Sequence, residues 1–283
     1  MIAIADSGTT KTTWQFVDKD GFNKRFNTIG FNPYYQDTES IYSNIMTGLI
    51  PNVDMSRPLE YIYFYGAGCE QEDKREEVAV ALRKAFPKTN VWVNHDLLAA
   101  ARALFGDNPG LACISGTGSN TCLYDGKDIT KNVHSLGLFM GDEGSGGYKG
   151  KLFVTSYIRE DLPAHLRADF EATNTDRTAD ILDSVYIKPF PSRYLASFMP
   201  FIVKHLGDPY MRNLVKNSYR DLFNNCISKY PSYKEKDIAF IGSIAHYCKE
   251  VLDEVAAEYG VKVSKVIRNP MDSLSEYHLH LKN

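Results

Sequence analysis

The chain has 283 residues, a formal charge of −3 and a pI near 6.2. That length accommodates one large domain or two ordinary ones. The near-neutral charge supplies no broad basic field, which excludes nucleic acid as the main partner. No apolar run approaches the length of a membrane-spanning helix, so no membrane association is expected.

Strand-like runs near 2–6, 12–18 and 22–28 open the sequence, the last two joined by the hairpin signal Lys19-Asp20-Gly21. The chain therefore enters a strand at once, without a secretory signal pattern. Cys69, Cys113, Cys122, Cys226 and Cys248 are odd in number and lack C-x-x-C or His-paired spacing. They read as reduced, buried thiols of a cytoplasmic protein. A helical segment from about Asp37 to Leu49 precedes the strand Tyr61 to Tyr65, after which Gly66-Ala67-Gly68 breaks into a charged helix ending near Phe86. Val91 to Val93 and the alanine-rich helix Leu97 to Leu104 complete an antiparallel start that feeds β-α-β-α units.

Gly106-Asp107-Asn108-Pro109-Gly110 is a turn cluster that marks a domain boundary. Strands follow near 111–115, 120–125 and 128–134, then a helix from about Tyr148 to Tyr157. Helical segments are expected around 160–170, 176–184, 192–206 and 210–229. A strand at Asp237 to Ile241, a helix at Ala245 to Tyr259, a strand at Val261 to Ile267 and a helix from Met271 close the chain. The second half repeats the architecture of the first.

Two glycine turns stand out within this order. Asp6-Ser7-Gly8-Thr9-Thr10-Lys11-Thr12 and Ile114-Ser115-Gly116-Thr117-Gly118-Ser119-Asn120-Thr121 each follow an apolar run and precede a second strand. Such hairpin tips let backbone N–H groups and hydroxyls converge on phosphate oxygens. The first lacks the spacer of a P-loop, and the second lacks the third glycine of a dinucleotide fingerprint. An ordinary hairpin remains an alternative for the first; if it is functional, Asp6 would hold hydrated Mg²⁺.

Gly141-Asp142-Glu143-Gly144-Ser145-Gly146-Gly147 packs four glycines around two carboxylates just before a helix, at a cost in chain entropy that is hard to explain as packing; a plain loop is the alternative. Asp96, in Asn94-His95-Asp96, stands between a strand and a helix. It reads either as a helix N-cap or as a carboxylate facing the crevice where α/β proteins bind ligands. His95 reads as a packed or solvated histidine. Gly242-Ser243, at another strand-to-helix junction, could let an adenine or ribose approach the backbone.

Taken in order, the two turns, Asn94-His95-Asp96, Gly141-Asp142-Glu143-Gly144-Ser145 and Ile241-Gly242-Ser243 resemble the actin-like ATPase superfamily of sugar kinases, actins and heat-shock ATPases. Within it the chain resembles the N-acetylglucosamine kinase family, which is grouped with the 2-hydroxyacyl-CoA dehydratase activators. The resemblance implies an α/β fold of two actin-like ATPase (ribonuclease H-like) domains, each a mixed five-stranded sheet flanked by helices, with a nucleotide cleft between them. The domains would span 1–106 and 107–267, with a helical insertion at about 158–230 and a terminal helix at about 268–283 packing back on the first domain.

The resemblance also implies an ATP-dependent kinase acting on a hydroxyl of an amino sugar, foremost N-acetylglucosamine at its 6-position, with Mg²⁺ and ATP as cofactors. It assigns nucleotide binding to Gly8, Thr9, Thr10, Lys11, Gly116, Thr117, Gly118, Gly242 and Ser243. Asp96 would be the catalytic base, Asp6 would hold Mg²⁺ through water, and Asn32, Tyr34, Asp96 and Asp142 would contact the sugar. Tyr34 stands where the family has a tryptophan, and the last helix lacks the family's small-residue pattern. Closure about Gly106 to Gly110 is expected, and a homodimer is left open. The alternatives are a dehydratase activator, which would need cysteine pairs for an iron–sulfur cluster, and a noncatalytic sugar-binding regulator.

Overall fold

The computed structural model describes residues 1–8, 11–54 and 56–280, and within it the chain divides into two compact units. Unit 1 comprises residues 1–108, 126–128 and the stretch from 270 onward; unit 2 comprises 109–125 and 129–269.

Unit 1 is built on a five-stranded sheet whose first three strands form an antiparallel meander: β1 (Ile2–Ser7), β2 (Lys11–Val17) and β3 (Asn23–Ile29). Helix α1 (Thr38–Asn44), a π-helical turn at Ile45–Leu49, β4 (Tyr61–Gly66), α2 (Glu72–Ala85), β5 (Asn90–His95) and α3 (Asp96–Phe105) follow. The strand order is β3-β2-β1-β4-β5, and β1, β4 and β5 run parallel. In register, Ser7 faces Gly66 and Gly66 faces His95, so all three parallel strands end on one line.

The alternation in β4 explains its unbroken aromatic run. Ile62 and Phe64 enter a core with Trp14, Phe16 and Phe31 beneath α1 and α2, whereas Tyr63 and Tyr65 face the other way. A strand buried on both faces needs no polar side.

Unit 2 repeats the plan with β6 (Gly110–Ser115), β7 (Ser119–Tyr124) and β8 (Ile129–Val133) as the meander. Short α4 (Gly137–Met140) leads to α5 (Gly146–Ile158), and then come α6 (Ala164–Thr173), α7 (Thr178–Tyr186), α8 (Pro191–Ala196), α9 (Met199–Lys204) and α10 (Pro209–Asn225). β9 (Ile238–Ile241), α11 (Ser243–Tyr247), α12 (Lys249–Glu258) and β10 (Val263–Ile267) complete it, with strand order β10-β9-β6-β7-β8. Strands β6, β9 and β10 are parallel. Each unit is thus a mixed five-stranded sheet flanked by helices, as expected.

Several expected helices are interrupted. The segment near 192–206 divides into α8 and α9 because Pro200 has no N–H to continue a helix and instead sits in the first turn of a new one. The segment at 245–259 divides at Cys248, which caps both α11 and α12 in a non-helical conformation. Helix α10 starts cleanly because the Asp208 carboxylate accepts the N–H groups of Tyr210 and Met211.

The last helix, α13 (Met271–His280), packs on α3 and β1 within unit 1. Its His278 is buried, stacks on Tyr63 at 3.8 Å between ring centroids, and pairs through Nε2 with the Tyr65 hydroxyl at 2.8 Å. Burial drives His278 down to about 3, so the ring is neutral. The Arg102 guanidinium of α3 donates to the same Tyr65 hydroxyl at 3.0 Å.

Candidate functional site

In unit 1 the expected residues gather at the C-terminal ends of β1, β4 and β5, the edge where parallel sheets present ligands. Asp6 is the penultimate residue of β1. Burial pushes its carboxyl up to about 7; the nearby Asp96 adds to the rise and Lys11 opposes it. The first hairpin is closed by the Gly8 N–H donating to the Lys11 carbonyl at 3.0 Å. Thr9 and Thr10, expected to bind nucleotide, lie outside the described residues.

Asp96 is the first residue of α3 and is not its cap; His95 holds that position and makes no side-chain cap bond. The N-cap alternative is thereby corrected, because the chain turns one residue earlier than that reading required. Burial pushes the Asp96 carboxyl up to about 6, against the N–H of Leu97, and Glu70 pushes in the same direction as burial. A carboxyl tuned to that range suits proton transfer near neutral pH. His95 is pushed down to about 4 by burial, with Arg75 and Arg102 adding to the effect, and is therefore uncharged.

Between these carboxylates runs the turn Gly66-Ala67-Gly68-Cys69, whose importance the sequence reading missed. The Ala67 N–H donates to the Ser7 carbonyl at 2.8 Å, holding the turn to β1. At Gly68, φ is +81° and a Cβ would come within 2.5 Å of the Asn32 Oδ1. Glycine is the residue that permits this approach. Asn32 is buried; its Oδ1 accepts the Tyr34 N–H at 3.0 Å and its own N–H donates to Gln36. Cys69 is buried near Asp96, and burial raises its thiol to about 12. Asn32 and Asp96 thus border the same short turn. Tyr34 is 54% exposed, with the Lys74 ammonium 5.5 Å from its ring centroid.

In unit 2 the second glycine turn lies where β6 ends. The Gly116 N–H closes it on the Gly118 carbonyl at 2.9 Å. The carbonyls of Gly116 and Thr117 accept the N–H groups of Gly146 and Gly147, at 2.8 and 3.0 Å, from the start of α5. With those carbonyls committed, the turn offers a ligand its donor side and the exposed Thr117 hydroxyl.

The Gly141–Gly147 loop folds directly onto this turn. Asp142 is buried in a left-handed conformation with φ of 60°, and its carboxylate accepts the Ser119 N–H at 3.4 Å. A Cβ on Gly118 would lie 3.3 Å from Asp142 Oδ2. Burial raises the Asp142 carboxyl, Ser119 opposes that, and Glu143 adds to it. Gly242 is equally constrained: at φ of +126° its Cβ would meet the Ser115 carbonyl at 2.2 Å. That close approach brings Gly242-Ser243, at the start of α11, beside the Gly116 turn. Gly116, Thr117, Gly118, Asp142, Gly242 and Ser243 therefore form one cluster in unit 2.

All five cysteines are buried with free sulfurs. Among the described residues no group of three or more His, Cys, Asp or Glu side chains could hold a metal, and no helix is long and apolar enough to cross a membrane.

No family model matches the chain, and no curated protein matches it. Solved structures do. A Porphyromonas gingivalis protein that carries the provisional name N-acetylglucosamine kinase is 40% identical over the whole of both chains, with a TM-score of 0.95. A protein provisionally named the same way, from Chromobacterium violaceum, is 15% identical over 98% of each chain, at a TM-score of 0.70. A ROK family glucokinase from Streptomyces griseus, in complex with glucose and AMPPNP, is 14% identical over 94% of each chain and shares the fold at a TM-score of 0.57. Over its full length the chain belongs to the N-acetylglucosamine kinase family of the actin-like ATPase superfamily, and it is a sugar kinase.

Proposed function

We propose that this sugar kinase transfers the γ-phosphoryl group of ATP to an amino sugar, N-acetylglucosamine at its 6-hydroxyl. The observation that carries the reading is Asp96, a carboxyl raised to about 6 at the end of the parallel strands and bordering the same turn as Asn32. The provisional name of the 40% identical Porphyromonas gingivalis protein supports the choice of acceptor.

In the proposed step the Asp96 carboxylate takes the proton of the sugar hydroxyl as its oxygen bonds to the γ-phosphorus, and the bond from that phosphorus to the bridging oxygen breaks to leave ADP. Asn32 and Asp142 hold the sugar, and the ring of Tyr34 offers it an apolar face. Gly8, Thr9, Thr10, Lys11, Gly116, Thr117 and Gly118 supply N–H, hydroxyl and ammonium donors to the phosphates, and Gly242-Ser243 meets the adenosine. Positioning and fixed dipoles carry most of the catalysis in this reaction class.

The residues also fit Mg²⁺. Burial and, after it, the neighbouring Asp96 raise the Asp6 carboxyl, and a divalent cation would relieve the repulsion between the two carboxylates. Mg²⁺ keeps several waters and takes one or two carboxylates plus substrate phosphates, so Asp6 would hold it through water together with the phosphates of ATP. When bound, it neutralises charge on the transferring phosphates.

A coupled assay of ADP release across a panel of N-acetylglucosamine, N-acetylmuramic acid, glucosamine, N-acetylmannosamine and glucose tests the reading. N-acetylglucosamine should give the highest kcat/KM, with phosphorus at O6 in the product. Sugar-independent ADP release, or none, would refute it.

A further inference from the structure

Lys149, the fourth residue of α5, is fully buried. An ammonium in an apolar core is costly, and Met or Leu would fill the same volume without that cost. Its neighbours are specific. Nζ donates to the Gly144 carbonyl at 2.5 Å and lies 3.7 Å from the centroid of the Tyr219 ring; Cys248 is the remaining titratable group facing it. Burial pushes the amine down to about 7.

The Gly144 carbonyl is the point where this interior contact meets the glycine cluster. It also accepts the Ser115 hydroxyl, at 2.7 Å, from the last residue of β6. The Gly144 N–H donates to Ser218 on α10 at 3.2 Å. The backbone of one residue is thus held by three hydrogen bonds, two residues before Gly146, which with Gly147 donates to the carbonyls of the Gly116 turn. Two residues on the other side stands Asp142.

We propose that Lys149 is a positioning residue of the kinase: through the Gly144 carbonyl it sets the Gly141–Gly147 loop, and with it Asp142 and the Gly116–Gly118 turn. Lys149 touches neither sugar nor nucleotide. The assignment deepens the kinase reading and rests on it for its catalytic consequence, while its structural core can be tested without substrate.

The test compares wild type with Lys149→Met, which keeps length and removes the donor, and Lys149→Gln, which restores one. Hydrogen exchange is followed on peptides covering 141–148 and on peptides from unit 1. Lys149→Met should accelerate exchange of the Gly146 and Gly147 amides about tenfold or more relative to unit 1, and Lys149→Gln should recover most of the protection. In the kinase assay, Lys149→Met should raise KM for nucleotide and sugar by about tenfold to a hundredfold, as small misplacements do.

Uniform acceleration across both units, or loop protection unchanged in a folded Lys149→Met, overturns the proposal. If Lys149→Met does not fold, Lys149→Gln decides: loop exchange and KM near wild type support the assignment, and loop exchange accelerated about tenfold or more relative to unit 1 despite the restored donor defeats it. Wild type that releases no ADP with any sugar would defeat the kinase reading and leave the exchange result standing.

Discussion

The Ser7 hydroxyl accepts the N–H of Phe31 at 3.0 Å and donates to the carbonyl of the same residue at 3.3 Å, while sharing a hydrogen bond with the Thr12 hydroxyl at 2.7 Å. One buried side chain therefore ties the end of β1 to the segment that carries Asn32. Ser7→Ala leaves the Phe31 N–H buried without a partner, which costs about 1–3 kcal/mol. Urea unfolding should show a lowered midpoint with an unchanged m-value, and KM for the sugar should rise more than KM for the nucleotide.

Asp96→Asn separates chemistry from binding. Loss of a general base costs about 10²–10⁴-fold in turnover, whereas binding of a fluorescent nucleotide analogue should stay within a few-fold of wild type. The same variant should be more stable at neutral pH. The folded-state carboxyl, raised to about 6, binds its proton more tightly than in the unfolded chain. Its contribution to stability is therefore complete at low pH and is lost as pH rises through 6. At pH 7 the ionised group opposes folding by on the order of 1–3 kcal/mol, which asparagine removes. A thermal midpoint at pH 7 below that of wild type would contradict this.

Gly68→Ala addresses the sugar side. A methyl group there meets the end of the Asn32 side chain, and the φ of +81° disfavours any L-residue. The variant should fold, since a side-chain terminus can move aside, but with Asn32 displaced. Isothermal titration should show weakened sugar affinity with nucleotide affinity retained; equal loss of both would point to general damage.

Lys149 gives a pH signature opposite in sign to that of Asp96. Its amine titrates near 7 when folded and near its ordinary value, about 10.4, when unfolded. Between those values the unfolded chain binds more protons, so this group's penalty on stability shrinks as pH rises. Wild type should gain stability relative to Lys149→Met from roughly pH 7 to 10. A difference in urea midpoints that is constant across that range would place the lysine's pKa elsewhere.

Much of the architecture was legible because hydrophobic runs, glycine turns and strand-to-helix junctions carry local signals. The paired meanders, the two five-stranded sheets and the Gly116 turn belong to this class. What escaped were relations set by long-range contact. Gly68 reads as a loop breaker until its distance to Asn32 is known, and Asp96 reads as a cap because only the path of the backbone shows that His95 takes that place. Lys149 belongs to none of the motifs the sequence displays. A faint signal existed there, since Phe153, one turn later on the same face of the helix, is apolar and buried.

The pairing of His278 with Tyr65 has a consequence for how the polypeptide is made. Unit 1 draws on residues 1–108 and on α13, with all of unit 2 interposed. During synthesis the second sheet is translated in full before the helix that covers Tyr63 and Tyr65 leaves the ribosome. The usual N-terminal-first order of folding on the ribosome is therefore reversed for completion: the domain begun first is finished last, and its aromatic face waits for nascent residues beyond 269.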